Sequence, residues 1–91
     1  MLESSVSVVN PLGLHARAAA QLVRLACGFK SRITLSKTDG RATANAKSIL
    51  SLLTLAASLG TELVLHVDGD DEHDAAAAIA GLFADGFGEI Y

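Results

Sequence analysis

The apolar positions of this chain alternate between a period of two and a helical period, and turn residues mark each change. "SVSVV" (5–9) alternates about Val6 and Val8 until Asn10-Pro11 and Gly13 interrupt it, which predicts a first strand ending in a tight connection. "ARAAAQLVRLACG" (16–28) puts Ala19, Leu22, Val23 and Ala26 on one helical face, with Gly28 where a C-capping glycine belongs. "RITLS" (32–36) alternates again, "KTDG" (37–40) carries an Asp-Gly hairpin signal, and "RATAN" (41–45) returns as its partner strand. "KSILSLLTLAASLG" (47–60) repeats Ile49, Leu52, Leu53 and Ala56 at helical spacing, is apolar nearly all round and ends in glycine, so a second helix is expected over its length. "TELVLHVDG" (61–69) alternates Leu63, Leu65 and Val67 against Glu62, Val64, His66 and Asp68, the pattern of a half-buried strand. "DDEHDAAAAIAGLFADGFG" (70–88) opens with acids suited to the positive end of a helix dipole and aligns Ala75, Ala76, Ile79, Leu82 and Phe83. The tail after Gly86 is expected to fray.

The order β-α-β-β-α-β-α, with no linker or repeat, describes one α+β domain over residues 1–91. Helices with one apolar stripe each and four short strands bury best as two layers, helices on one face of a mostly antiparallel sheet and water on the other. A chain of this length buries roughly 60 to 65% of its extended surface, enough for a single core.

Composition narrows the function. Apolar residues make up 51% of the chain and charged residues 19%, so the domain is built on aliphatic side chains and alanine. A net charge of −3 argues against nucleic acid and anionic lipid, which need a concentrated basic surface. One cysteine, Cys27, forms no internal disulfide, and its position near a helix end reads as a buried thiol. "MLESSVSVV" has an acid where a secretory signal carries Lys or Arg, and "AAAAIAGLFA" (75–84) is about half the ~20 residues of a membrane span. A cytoplasmic protein without membrane insertion is expected.

The candidate chemistry lies in "NPLGLHARAAA" (10–20). A helix beginning near residue 16 leaves its first N–H groups unpaired, and with the helix dipole they favour an anion. His15 sits at that mouth, where the same positive end disfavours an imidazolium and leaves a nitrogen nucleophile. A phosphoryl group on His15 would lie against helix N–H groups, with the Arg17 guanidinium able to donate to two oxygens. The spacing by itself favours a turn histidine making one hydrogen bond beside a solvated arginine, because an H-x-R triplet is common.

"GLHAR" before an Ala-rich helix, then "NAKSILSLLTLAA", "LGTELVLHVDG" and an acidic-start helix ending "LFADGFGE", resemble the histidine-containing phosphocarrier protein family (HPr, and its nitrogen-branch relative NPr) of the bacterial phosphoenolpyruvate phosphotransferase system. The resemblance covers nearly the whole chain. It implies an open-faced β-sandwich with a four-stranded antiparallel sheet, and a non-enzymatic monomeric carrier that needs no cofactor. His15 would take a phosphoryl group on Nδ1 from enzyme I and pass it to IIA domains, with Arg17 assisting. Where many members have "HARPAA", this chain has Ala18 in place of proline, which costs some preorganisation of the first helical turn. "GRATANAKS" looks about one residue longer than usual, so a bulge or longer loop is expected there. The "LFADGFGE" tail leans to the nitrogen branch, and "NAKS" to kinase-regulated HPr.

Ser48 stands at the start of the second helix, where a phosphate dianion is electrostatically welcome. The resemblance implies that HPr kinase/phosphorylase modifies the corresponding serine in many bacteria, slowing transfer through the histidine. Asn45 or Ser48 also suits a plain capping role. Ile49, Leu50 and Leu53 exceed what one stripe can bury and are expected to form an exposed docking patch for enzyme I and IIA. His66 and His73 read as surface histidines, and no metal site is expected because the three histidines lack the short paired spacing of zinc ligands. Two other classes use the same residues differently: a ligand-binding or regulatory module working through the open sheet face, and a hydrolase with His15 as general base, for which no second catalytic group is visible.

Overall fold

The computed structural model describes residues 1–89. Four strands form one antiparallel sheet in the order β1-β4-β2-β3: β1 (Leu2–Ser7), β2 (Arg32–Lys37), β3 (Thr43–Asn45) and β4 (Glu62–Asp68). Helices α1 (Ala16–Ala26), α2 (Ile49–Leu53) and α3 (Glu72–Ala84) cover one face, and a 3-10 turn, Gly86–Gly88, follows α3. Strand alternation selects the covered face. Val6 pairs with Leu63, Leu35 with both Leu65 and Ala44, and Ile33 with Val67, and all seven are buried. The opposite face carries Glu3, Thr34, Ser36, Thr43 and His66 at solvent-exposed or half-buried positions, the water-facing side that the alternation predicts.

From the helices, Ala18, Ala19, Leu22, Leu52, Ala75, Ile79 and Phe83 complete the core. Alanine at four buried helix positions, Ala18, Ala19, Ala26 and Ala75, and at Ala57 in the segment after α2, lets the helices approach the sheet and each other closely. Among the described residues no helix is long and apolar enough to cross a membrane.

Several sequence expectations change. The first strand lies earlier than the Val6/Val8 alternation suggested, and Val8 instead exchanges backbone hydrogen bonds with the loop before β4, donating to Thr61 O at 2.9 Å and accepting from Gly60 N at 2.8 Å. Gly28 closes α1 through a bond to Leu25 O without a left-handed turn, and Cys27 beside it is exposed rather than buried, because it falls on the outward side of the last helical turn. No bulge breaks the β2/β3 pairing, which runs one to one from Thr34↔Asn45 to Ser36↔Thr43. Residues 38–42 form the hairpin loop, and a turn follows Asn45.

The largest change is in α2, which ends at Leu53 although the apolar pattern continues to Gly60. Thr54 Oγ1 donates back to Ser51 O at 2.6 Å, Leu55 and Ala56 make tightened i→i−3 bonds, and Ala56 turns left-handed at φ 50°. Stopping there frees the Ala57 carbonyl to accept from Leu14 N at 2.8 Å while Leu55 and Ala57 still point into the core. Tertiary hydrogen bonding outweighs local helix propensity.

At the far end of the sheet, Asp71 is the N-cap of α3, its carbonyl accepting from Ala75 N at 2.9 Å, but its side chain makes no capping bond. Its carboxylate accepts from Lys30 N at 2.8 Å, Ser31 N at 2.9 Å and Ser31 Oγ at 2.5 Å, fastening the α1–β2 connection to the start of α3. Of the tail after Gly86 that was expected to fray, residues 87–89 are ordered against the fold, and residues 90–91 lie outside the described residues. Phe87 is buried edge-on against Phe83, with ring centroids 5.0 Å apart, and Gly86 is buried with it. That anchor returns the chain toward the first loop.

Candidate functional site

The first loop is built from short-range bonds and one close approach. Asn10 and Gly13 close a turn, Gly13 N donating to Asn10 O at 3.1 Å and Asn10 Nδ2 to Gly13 O at 2.7 Å. Gly13 has φ 70°, and a Cβ there would stand 2.6 Å from Ala57 O, so only glycine lets the loop rest on the segment after α2. This support delivers His15 to the N-cap of α1 in extended backbone, with its carbonyl accepting from Ala19 N.

Both ring nitrogens of His15 are engaged. Nδ1 accepts from Arg17 N at 3.3 Å, so the side chain itself caps the helix. Nε2 lies 2.6 Å from Glu89 Oε2. A backbone N–H can only donate and an ionised carboxylate can only accept, so the two partners together assign the tautomer with the proton on Nε2 and the lone pair on Nδ1.

Glu89 is itself held in place. Its side chain is only 7% exposed, and it accepts from Asn10 Nδ2 at 3.0 Å and, at the 3.5 Å margin, from Leu12 N. Burial pushes the Glu89 carboxyl up, but hydrogen bonds from His15, Asn10 and Leu12 outweigh it and hold the group below its ordinary range. Asn10 is buried, spends both amide hydrogens on Gly13 O and Glu89, and leaves Oδ1 without a hydrogen bond. The amide is thus oriented toward a charged acceptor at the expense of its own oxygen.

Arg17 is exposed in the first turn of α1, and its guanidinium has no hydrogen-bond or ion-pair partner among the described residues. Ala18 is fully buried in that turn. Ser48 is the N-cap of α2, with Oγ accepting from Ser51 N at 3.3 Å; Asn45 instead forms its own turn, accepting from Lys47 N at 2.9 Å. Ile49, Leu50 and Leu53 are exposed, Leu50 by 79%, and Leu12 beside the first loop is also exposed. His66 lies on the open sheet face 3.6 Å from Glu3, and His73 is exposed on α3. Neither joins His15, and among the described residues no cluster of His, Cys, Asp and Glu could hold a metal ion.

Sequence reasoning missed Glu89 and the role of Asn10. Glu89 is 74 positions from His15, beyond any local pattern. The available signal was Phe87 between two glycines, an apolar anchor in a segment that can turn back on itself.

The open-faced sandwich thus holds a half-buried histidine at the N-cap of a helix, an arrangement open to a partner at the surface of a small domain. The model of the PTS HPr component phosphorylation site matches residues 2–85. A phosphocarrier protein HPr from Xylella fastidiosa is 51% identical over 89 residues, covering 98% of each chain. The crystal structure of HPr-C-His from Thermoanaerobacter tengcongensis superposes with a TM-score of 0.92 at 38% identity over 100% of both chains. The crystal structure of an HPr dimer from the same organism gives 0.76 at 39% identity, covering 98% of this chain and 100% of that one. The chain belongs to the HPr family, and it is a phosphocarrier of the phosphotransferase system rather than an enzyme.

Proposed function

We propose that His15 is the phosphoryl acceptor, receiving the group on Nδ1 from phosphorylated enzyme I and passing it to a IIA domain. The observation that carries this reading is the pair of bonds on the His15 ring, which leaves the nucleophilic lone pair at Nδ1, beside the Arg17 N–H. A phosphoryl group arriving there takes over the helix N–H that Nδ1 now uses, and the unengaged Arg17 guanidinium can close on its oxygens. The P–N bond stays at the surface, where a second partner can reach it.

The exposed side chains of Ile49, Leu50 and Leu53 form the docking patch for both partners in this reading, and the carrier works as a cytoplasmic monomer that exchanges between them. Dimeric relatives make self-association the competing state, which light scattering across a concentration series separates. Ser48 is proposed as a regulatory site for HPr kinase/phosphorylase. Its Oγ is half-buried and accepts a single 3.3 Å bond, so its hydroxyl hydrogen is available for transfer to a base.

Intact-mass spectrometry after incubation with phosphoenolpyruvate and enzyme I tests the core of the proposal. Wild type should gain one acid-labile phosphoryl group that His15→Ala lacks. An adduct that persists in His15→Ala would reject His15 as the acceptor.

A further inference from the structure

Resting on the reading of His15 as acceptor, we infer that Glu89 is a positioning residue that keeps the His15 proton on Nε2 and turns its lone pair at Nδ1 toward the incoming phosphoryl group. The contact has the geometry such a role needs. It is 2.6 Å long, the carboxylate is almost entirely buried, and Asn10, itself buried, fixes the same oxygen from a second side at 3.0 Å. A surface ion pair would lack that enclosure and would contribute little.

The chemistry follows from where charge develops. The Nδ1 lone pair forms the new P–N bond, the bond from phosphorus to the donor's atom breaks, and that electron pair leaves with the donor. The Nε2 proton does not move. The ring gains positive charge that is shared with Nε2, directly facing the Glu89 carboxylate. The carboxylate therefore stabilises the product side of the transfer without touching phosphorus, and it is in place before the reaction begins.

Asn10 completes the device. With Nδ2 shared between Gly13 O and Glu89, it links the C-terminal segment to the loop that carries His15. Phe87, with φ 57° and a buried ring, anchors the other end two residues before Glu89.

Two measurements on the full chain test this. In nitrogen-15 NMR, wild type should show a His15 Nε2–H protected from exchange with water. Glu89→Ala should lose that signal while the amide resonances of the sheet stay in place, and Glu89→Gln, whose carbonyl still accepts, should retain it. In phosphotransfer from enzyme I, Glu89→Ala should lower kcat roughly tenfold or more, the scale seen when an orienting partner of an imidazole is removed, with KM unchanged because the docking patch is untouched. Glu89→Gln should fall between the two. A protected Nε2–H that survives in Glu89→Ala would overturn the contact, and an unchanged kcat in that variant would overturn its function. Absence of any phosphorylation at His15 in wild type would instead reject the carrier reading, while the NMR result would still report on the contact itself.

Discussion

The carbonyl oxygen of Ala57 occupies the space where Gly13 would carry a side chain, 2.6 Å from the position of a Cβ. The first loop and the segment after α2 are therefore in contact through backbone alone, and Leu14 N donates to the same oxygen. Gly13→Ala must both bear the left-handed φ of 70° and push the two segments apart. It should lower stability by at least about 2 kcal/mol, read as a shift in the thermal or urea midpoint. Phosphoryl acceptance should fall with it, since His15 rides on this loop.

Acid should weaken the fold through its hydrogen-bonded carboxylates. The Ser31 hydroxyl, first of all, and the Lys30 and Ser31 N–H groups hold the Asp71 carboxyl below its ordinary value of 3.8, against the effect of burial. Glu72 is lowered as well, chiefly by the Gly69 N–H, and Glu89 is lowered despite its burial. A depressed folded-state value means that the stabilisation is fully present above the unfolded carboxylate range and is lost as pH falls through the folded one. Stability should decline from about pH 5 downward. Asp71→Asn should start from lower stability and show a shallower decline in urea melts taken at successive pH values; a decline as steep as wild type would remove Asp71 from the account.

Leu50 offers the cleanest test of the docking patch because it is 79% exposed and contributes little to the core. Leu50→Asp should leave the melting midpoint within about 0.5 kcal/mol of wild type. It should raise KM for enzyme I with little change in kcat, the reverse of the pattern expected for Glu89→Ala. Calorimetric binding to enzyme I at wild-type affinity would exclude this surface.

Much of the architecture could be read from periodicity. β4 alternates cleanly because one of its faces is dry and the other wet, and α1 shows its stripe because its outer face is polar. α2 misled because apolar spacing reports burial, and Leu55 and Ala57 are buried from a turn as effectively as from a helix. Cys27 misled in the opposite way, since a thiol at a helix end has no periodic signal to say which side it faces. In the site, His15 and Arg17 were visible because helix capping is local, just as Ser48 was as a cap. Glu89 was not, because its meaning comes from packing: only the burial of Phe87 against Phe83 returns the chain to residue 15.

That return path ties the ring to a residue remote in sequence. The histidine and its carboxylate partner stand 74 positions apart. A chain folded only through β4 already holds the residues of its four strands but lacks the carboxylate that faces the His15 ring. The turn around Phe87 thus acts as a clasp: the carboxylate meets the ring once that segment has docked.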